Sequence, residues 1–264
     1  MGETRSERAL TWYHTIDLPS GPTPGEYDHR GVVDKVPWPT SLAGARCLDV
    51  GTHDGFWAFE MERRGADAVL AIDIADPDQV DWPEPRPAMS PEVYDFIADR
   101  KTAFHVAREA LGSRVEHRYV SVYELDPADV GQFDLVYVGT LLHHLRDPVG
   151  ALMAIRRVCR GQVLVSGVVS LSTSMLMPTK PMAELLDFPN EPFWSLPNIA
   201  GLRRQVASAG FGVVRRGPLH LQPTGAGARP EKLPLTLAGL RTLPYRLMLR
   251  KGAPHVCLLA RPNC

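Results

Sequence analysis

The sequence predicts an α/β fold in which an open, mostly parallel sheet is covered by helices on both faces. Three observations predict it. Short apolar runs recur along the chain, and they are continuous instead of alternating, as strands buried on both faces require. Segments with helical spacing separate these runs, the order expected of a parallel sheet with crossover helices. The first run ends in an acid and a glycine loop that opens directly onto a helix. With 264 residues, 44% hydrophobic and 22% charged, the chain has ordinary globular composition and is long enough to bury a full core.

The first 40 or so residues, rich in Pro, Gly and aromatics, show no clear period. They read as an ordered N-terminal arm or lid over residues 1–44 with short helical pieces, leaving 45–264 as the main domain. Arg46 to Val50 is the first strand. Phe56 to Arg64 follows with helical spacing, and Gly65 ends it as a C-terminal cap. Ala68 to Asp73 is the second strand, which completes a strand–helix–strand unit with a right-handed crossover. Pro91 to Leu111 reads as one or two helices with apolar positions at Val93, Phe96, Ile97, Phe104, Val106 and Ala107. Val115 to Val122 and Phe133 to Val138 are strands, Pro148 to Val158 is an amphipathic helix, and Gln162 to Val169 is a fifth strand. Asn198 to Ala209 is a helix capped by Gly210, and Phe211 to Arg215 and His255 to Ala260 are the last strands. Two stretches, about 171–196 and 217–252, break the alternation and read as insertions near the strand ends.

Bulk properties restrict the partners. The chain has 29 Lys+Arg against 30 Asp+Glu and a formal net charge of −1, whereas nucleic-acid binders usually carry a basic excess. Its first eight residues are polar and lack the apolar core of a secretory signal. No stretch reaches the ~18 apolar residues of a membrane span. The four cysteines share no CxxC spacing, and Cys47 and Cys257 sit in apolar runs where a reduced thiol acts as a small hydrophobe. A cytoplasmic location is expected. No Asp/Glu/His set has metal-ligand spacing, so no metal is expected.

In an open α/β sheet, ligands bind beyond the carboxyl ends of the strands where the strand order reverses. After the first strand comes Asp49-Val50-Gly51-Thr52-His53-Asp54-Gly55, whose glycines permit a tight turn and close backbone approach. The helix behind it offers N–H groups suited to a carboxylate. Asp73, 24 residues after Asp49, ends the second strand, where an acid accepts hydrogen bonds from both ribose hydroxyls. Its other reading is a helix N-cap. Ser121, Val122 and Tyr123 follow the third strand and are placed to border an adenine. Gly139-Thr140-Leu141-Leu142-His143-His144-Leu145 follows the fourth. The dinucleotide fingerprint G-x-G-x-x-G is absent.

These motifs, LDVGTHDG at 48–55, AIDI at 71–74 and FDLVYVGTLLHHLRDP at 133–148, resemble the class I S-adenosylmethionine-dependent methyltransferases over roughly Cys47 to Val169. The resemblance implies a Rossmann-like, seven-stranded sheet whose last strand, His255–Ala260, runs antiparallel near Phe211–Arg215. It implies Asp49, Gly51, Thr52 and Gly55 around the methionine end of the cofactor, Asp73 at the ribose, and Ser121 and Val122 at the adenine. Gly139 and Thr140 would pass beneath the methionine part. His53 stands where the family often has a further glycine, which predicts a loop seated differently around the sulfonium. A narrower resemblance, to methyltransferases similar to the tRNA wobble-uridine carboxymethyltransferase, rests on Leu142–Pro148 and Phe193–Asn198. Those enzymes have a longer N-terminal extension with lysines and a tyrosine around a carboxylated cofactor. Here the arm is short and His143 falls at the tyrosine's place, which implies ordinary S-adenosylmethionine, with S-adenosylhomocysteine as product.

His144, or its neighbour His143, is the candidate general base for deprotonating an acceptor, although alignment alone can support transfer from a sulfonium. The alternative reading is a histidine packed against the cofactor or bonded to a carbonyl. Trp12, Tyr13, His14 and Tyr27 are candidate acceptor contacts in a lid that excludes water; otherwise they cover an apolar edge. Trp194 either lines the acceptor pocket or anchors the next helix. The leucines from Leu235 to Leu249, with Arg241, Arg246 and Arg250, suit a packed insertion, a substrate lid or a membrane-facing or homodimer surface. The expected reaction is methyl transfer from S-adenosylmethionine to a small-molecule metabolite or natural product, at oxygen. The alternatives are a tRNA-modifying methyltransferase and a catalytically inactive cofactor-binding regulatory protein.

Overall fold

The computed structural model describes residues 10–84, 91–186, 192–228 and 252–263. The strands are β1 (Arg46–Val50), β2 (Ala68–Asp73), β3 (Glu116–Tyr119), β4 (Phe133–Gly139), β5 (Cys159–Val168), β6 (Phe211–Arg216) and β7 (Pro254–Pro262). The helices are α1 (Phe56–Arg63), α2 (Pro91–Ala110), α3 (Pro127–Val130), α4 (Pro148–Val158), α5 (Leu171–Leu176) and α6 (Ile199–Ser208). Seven strands form one sheet in the order β6-β7-β5-β4-β1-β2-β3. β1 pairs in parallel with both β2 and β4, and β7 runs antiparallel to β5 and β6. The order therefore reverses between β1 and β4, so the loops after these two strands border the crevice where such sheets bind ligands. The two-residue strand His220–Leu221 extends the β6 side of β7 by pairing with Pro254 and His255.

Alternation along the strands divides the core in two, because successive side chains in a strand point to opposite faces. Leu48, Leu70, Ile72, Val136, Val138 and Val163 face one way, under α4 and α6. Cys47, Val69, Ala71, Leu135, Tyr137 and Leu164 face the other way, under α1 and α2. On this second face the N-terminal arm supplies Leu10, Trp12, Ile16, Val33, Val36 and Trp38 to the core. Trp38 and Trp57 both stack on Tyr137, at 6.1 and 4.6 Å between ring centres. The arm and α1 thus cover this part of the sheet together.

The helices α3, α4, α5 and α6 each start on a residue whose side chain accepts from a first-turn N–H. Asp147 accepts from Gly150 N at α4, and Asn198 accepts from Gly201 N at α6. The chain from Pro91 is one continuous helix; Val93, Phe96 and Ile97 fall among side chains outside those described. β3 ends at Tyr119, three residues short of the expected strand, because Ser121 accepts from Tyr123 N and starts a 3-10 turn instead. The arm contains the expected short helical pieces, His29–Gly31 and Val33–Lys35, and also a small hairpin pairing Asp17–Leu18 with Gly21–Pro22. The first insertion forms α5 and a hairpin of Ala183–Leu185 with Ser195–Pro197. The leucine-rich segment 233–250 lies outside the described residues. Cys47 and Cys257 are fully buried and free, and burial pushes the Cys47 thiol up to about 12, as suits a small hydrophobe. Among the described residues no helix is long and apolar enough to cross a membrane.

Candidate cofactor site

The loop after β1 is fastened to the end of β2. Gly51 N and Thr52 N donate to the Ile72 carbonyl at 2.9 and 3.1 Å. Gly51, His53 and Gly55 all adopt left-handed backbone, with φ of 74°, 52° and 94°. At Gly55 there is a second demand for glycine, since a Cβ would lie 2.5 Å from the Phe59 ring and 2.9 Å from Phe104. Asp49 is 2% exposed and accepts from the Thr52 hydroxyl at 2.7 Å. The Ala58 N–H in the first turn of α1 favours the ionised form of Asp49. Burial, only partly offset by the Thr52 bond, pushes the Asp49 carboxyl up to about 7. Asp49 is therefore a brace inside the loop.

Asp73 holds the opposite rim. Its carboxylate accepts from His53 N at 2.9 Å and from Ile74 N at 2.8 Å. A carboxylate has about four acceptor positions, so two remain for a diol such as the ribose of an adenosyl group. It caps no helix. The left-handed loop and this half-exposed acid together fit the adenosyl cofactor expected from the motifs.

His53 is the departure that the sequence flagged, and the structure accounts for it. Its backbone takes the left-handed conformation a glycine would supply, at a cost of about 1 kcal/mol or more. Histidine is among the residues that tolerate this region best. What the histidine adds to the loop is its side chain. The ring stacks on Tyr13, with centres 4.1 Å apart and planes 7° from parallel. Arg100 of α2 donates to its Nδ1 at 3.1 Å. Burial and the Arg100 charge hold the imidazole well below its ordinary pKa, so the ring is neutral.

Asp54, which the motif reading left without a role, joins the arm to the loop. It is fully buried. One oxygen accepts from Tyr13 N at 2.8 Å and His14 N at 2.7 Å, and the other contacts the His14 Nδ1. The only signal in sequence was a carboxylate in a glycine loop with no neighbouring cation. Tyr27 continues the arrangement, donating its N–H to the Tyr13 carbonyl at 2.9 Å and setting its ring 5.0 Å from Tyr13. Trp12 is corrected by its burial. At 2% exposure its side chain is part of the core and packs the arm onto the sheet.

The remaining strand ends are reached differently from the expectation. Ser121 caps a turn, and the Val122 side chain is in the core, leaving backbone as what Val122 offers a ligand. Gly139 ends β4 where a Cβ would lie 2.6 Å from the Tyr137 ring. Thr140 has left-handed backbone, with φ of 54°. Its hydroxyl lies 3.2 Å from His255 Nε2, and His255 Nδ1 lies 2.9 Å from the Ala253 carbonyl. A carbonyl only accepts, so His255 Nδ1 carries the proton and Nε2 receives the Thr140 O–H. That hydroxyl is committed within the protein.

The two adjacent histidines separate in role. His143 is buried, and burial holds its imidazole well below the ordinary value. His144 is half-buried, with Nδ1 3.1 Å from the Pro192 carbonyl. The same argument puts the proton on Nδ1 and leaves Nε2 as an acceptor. Burial lowers the His144 pKa to about 4, so the ring is neutral and a weak base. Trp194 anchors the insertion: its indole N–H donates to the Asp81 carbonyl at 2.8 Å, and its backbone N–H to the His143 carbonyl at 2.8 Å. Arg146 lies 4.9 Å over its ring. Asp81, unremarked in the sequence, also receives the Tyr123 hydroxyl at 2.7 Å and Arg146 N at 2.8 Å. Among the described residues no group of three or more His, Cys, Asp or Glu is placed to hold a metal ion.

Comparison with known proteins agrees with this geometry. The family model described as a methyltransferase domain matches residues 26–216, well over half of the chain. The ubiquinone biosynthesis O-methyltransferase of Acinetobacter baylyi is 31% identical over 132 residues, covering 50% of this chain and 44% of that protein. The tRNA U34 carboxymethyltransferase of Alcanivorax borkumensis is 30% identical over 184 residues, covering 68% of this chain and 49% of that protein. The chain thus spans about half the length of the curated relatives it matches. Among solved structures, the N-terminal domain of EvdMO1 with S-adenosylhomocysteine and D-fucose has a TM-score of 0.54 at 16% identity, covering 96% of this chain and 91% of that one. The [4+2]-cyclase SpnF has a TM-score of 0.53 at 18% identity, covering 84% and 76%. By its sheet order, its strand-end loops and this match, the chain belongs to the methyltransferase domain family, whose methyl donor is S-adenosylmethionine.

Proposed function

We propose that the protein transfers a methyl group from S-adenosylmethionine to a hydroxyl of a small-molecule metabolite or natural product. The observation that carries this reading is the arm clipped to Asp54, which sets Tyr13 and His14 directly over the loop that bears the cofactor motif. A roof of this kind encloses a small acceptor and excludes water. The bound donor supplies an electrophilic methyl group, and alignment is then the main task of the protein. Asp73 holds the ribose, the Gly51–Gly55 turn lets backbone approach the methionine end, and His144 Nε2 orients the acceptor hydroxyl. The neutral overall charge gives no sequence-independent hold on a polyanion. A soluble cytoplasmic enzyme acting without a metal is part of the same proposal.

The test is a methyl-transfer screen of phenols, sugars and hydroxylated metabolites with S-adenosylmethionine, reading S-adenosylhomocysteine release. Methylated product at oxygen is the expected result; cofactor binding without turnover on any acceptor points to a regulatory, inactive protein instead. One fold can carry unrelated activities, and the [4+2]-cyclase SpnF is similar to this chain in fold. The tRNA reading draws on the Alcanivorax borkumensis relative, which matches 68% of the chain. Salt-sensitive tRNA binding in a filter assay at low salt would favour it, and absence of binding there eliminates it.

A further inference from the structure

The geometry points to His14, oriented by Asp54, as the group that takes the proton from the acceptor hydroxyl. This rests on the O-methylation reading above and assigns its proton step to a residue of the arm. Asp54 is fully buried and His14 is 4% exposed. Asp54 meets His14 through Nδ1. Its carboxylate also accepts two backbone N–H groups, which fix its position against the ring. A carboxylate bonded to Nδ1 fixes the imidazole with its proton on that nitrogen and stabilises the imidazolium formed when Nε2 gains a second one. Nε2 of His14 makes no hydrogen bond to any described residue, so it is the nitrogen left for a ligand.

A second observation places a polar ligand group beside it. His29 is 5% exposed, its ring centre is 5.0 Å from that of His14, and its Nδ1 is buried without a partner. Such a group costs about 1–3 kcal/mol unless something bonds to it. A polar group of a bound acceptor that reaches the edge of both rings would satisfy it. His14 also borders the cofactor loop, its ring centre 6.4 Å from that of His53. In the step itself, the acceptor oxygen forms a bond to the methyl carbon as the carbon–sulfur bond breaks, and that electron pair returns to sulfur. The oxygen's proton passes to His14 Nε2, and Asp54 balances the new charge. His144, lowered to about 4, orients the hydroxyl without accepting the proton. In this scheme His14 is the catalytic base and Asp54 its positioning residue.

The decisive experiment combines two readouts on the full chain saturated with S-adenosylhomocysteine. First, imidazole nitrogen NMR at alkaline pH should show His14 with a protonated Nδ1 and a bare Nε2. Asp54→Asn should invert this, because one amide oxygen can still accept the arm N–H groups while its NH2 now faces Nδ1. A wild-type His14 protonated on Nε2, or a tautomer unchanged in the Asp54→Asn variant, overturns the inference without needing an acceptor. Second, with any hydroxyl acceptor from the screen, His14→Asn should lower turnover about 10²–10⁴-fold. Its S-adenosylhomocysteine affinity should stay within about threefold, since the Asn amide can still donate to Asp54. Unchanged turnover in His14→Asn refutes the base assignment. Failure of the wild-type protein to bind S-adenosylhomocysteine refutes the underlying functional reading instead, so the two failures are distinct.

Discussion

Replacing Asp49 with Asn should stabilise the protein at neutral and alkaline pH while leaving its stability at mildly acidic pH little changed. The carboxyl is buried, and its pKa moves from 3.8 to about 7 on folding. Between those values the unfolded chain releases the proton and the native protein keeps it. The unfolded state then binds one proton fewer, so stability falls with rising pH at about 1.4 kcal/mol per pH unit. The group's contribution is complete below the unfolded pKa and is lost as pH rises through about 7. From pH 5 to pH 8 the window contains about two units of this slope, a loss of about 3 kcal/mol. An Asn at 49 carries no proton to lose. Its side-chain oxygen can still accept from the Thr52 hydroxyl, the partner Asp49 uses.

The assay is urea unfolding of both proteins without cofactor at half-unit steps from pH 5 to pH 8. Other groups also titrate in this window. His143 and His255 are neutral in the native state, so their contribution is present above the unfolded histidine pKa and lost as pH falls. These terms cancel when the two proteins are compared at the same pH. The stability of Asp49→Asn relative to the parent should rise by about 3 kcal/mol across the range and level off above pH 7. A flat difference refutes the argument. A difference that falls with pH would show instead that Asp49 is ionised in the native state and held by the Thr52 hydroxyl.

Asp73→Asn should weaken S-adenosylhomocysteine binding about 10–150-fold by calorimetry, because hydrogen bonds to a charged acceptor contribute about 1.5–3 kcal/mol. His53→Gly should leave the melting temperature nearly unchanged, whereas His53→Val should cost about 1–3 kcal/mol, since a β-branched residue resists a φ of 52°. His144→Ala should raise the acceptor KM more than it lowers kcat, in contrast to the His14 variant, because His144 is read as orienting the hydroxyl. Trp12→Ala should lower stability by about 3–5 kcal/mol, the range for truncating a buried aromatic, as read by chemical unfolding.

The parts of this fold that could be read in the sequence are those where local pattern and tertiary role coincide. β1 and β2 are apolar runs bounded by a glycine loop and a glycine cap, and they appear at the expected bounds. α4 begins at Asp147 and Pro148, a capping acid followed by a residue preset for the first turn, and it too matches. β3 was overextended because Val120 and Val122 look like strand residues, while the Ser121 cap that ends the strand is a single hydroxyl. Trp12 was assigned to the site because an aromatic near an arm looks the same whether it faces a ligand or the core. Only the packing against α1 and the sheet decides between them.

Asp54 shows why the site itself was half legible. Everything that names the cofactor lies within a strand and the few residues after it, so order and spacing reveal it. The partners of Asp54 are Tyr13 and His14, 41 and 40 positions away, and no periodicity links the two segments. The same holds for Asp81 with Trp194 and for Thr140 with His255, at separations of 113 and 115. Cofactor recognition in this chain is thus local and readable. The walls around the acceptor come from contacts that only the folded chain makes, so the methyl donor could be named from the sequence and its acceptor could not.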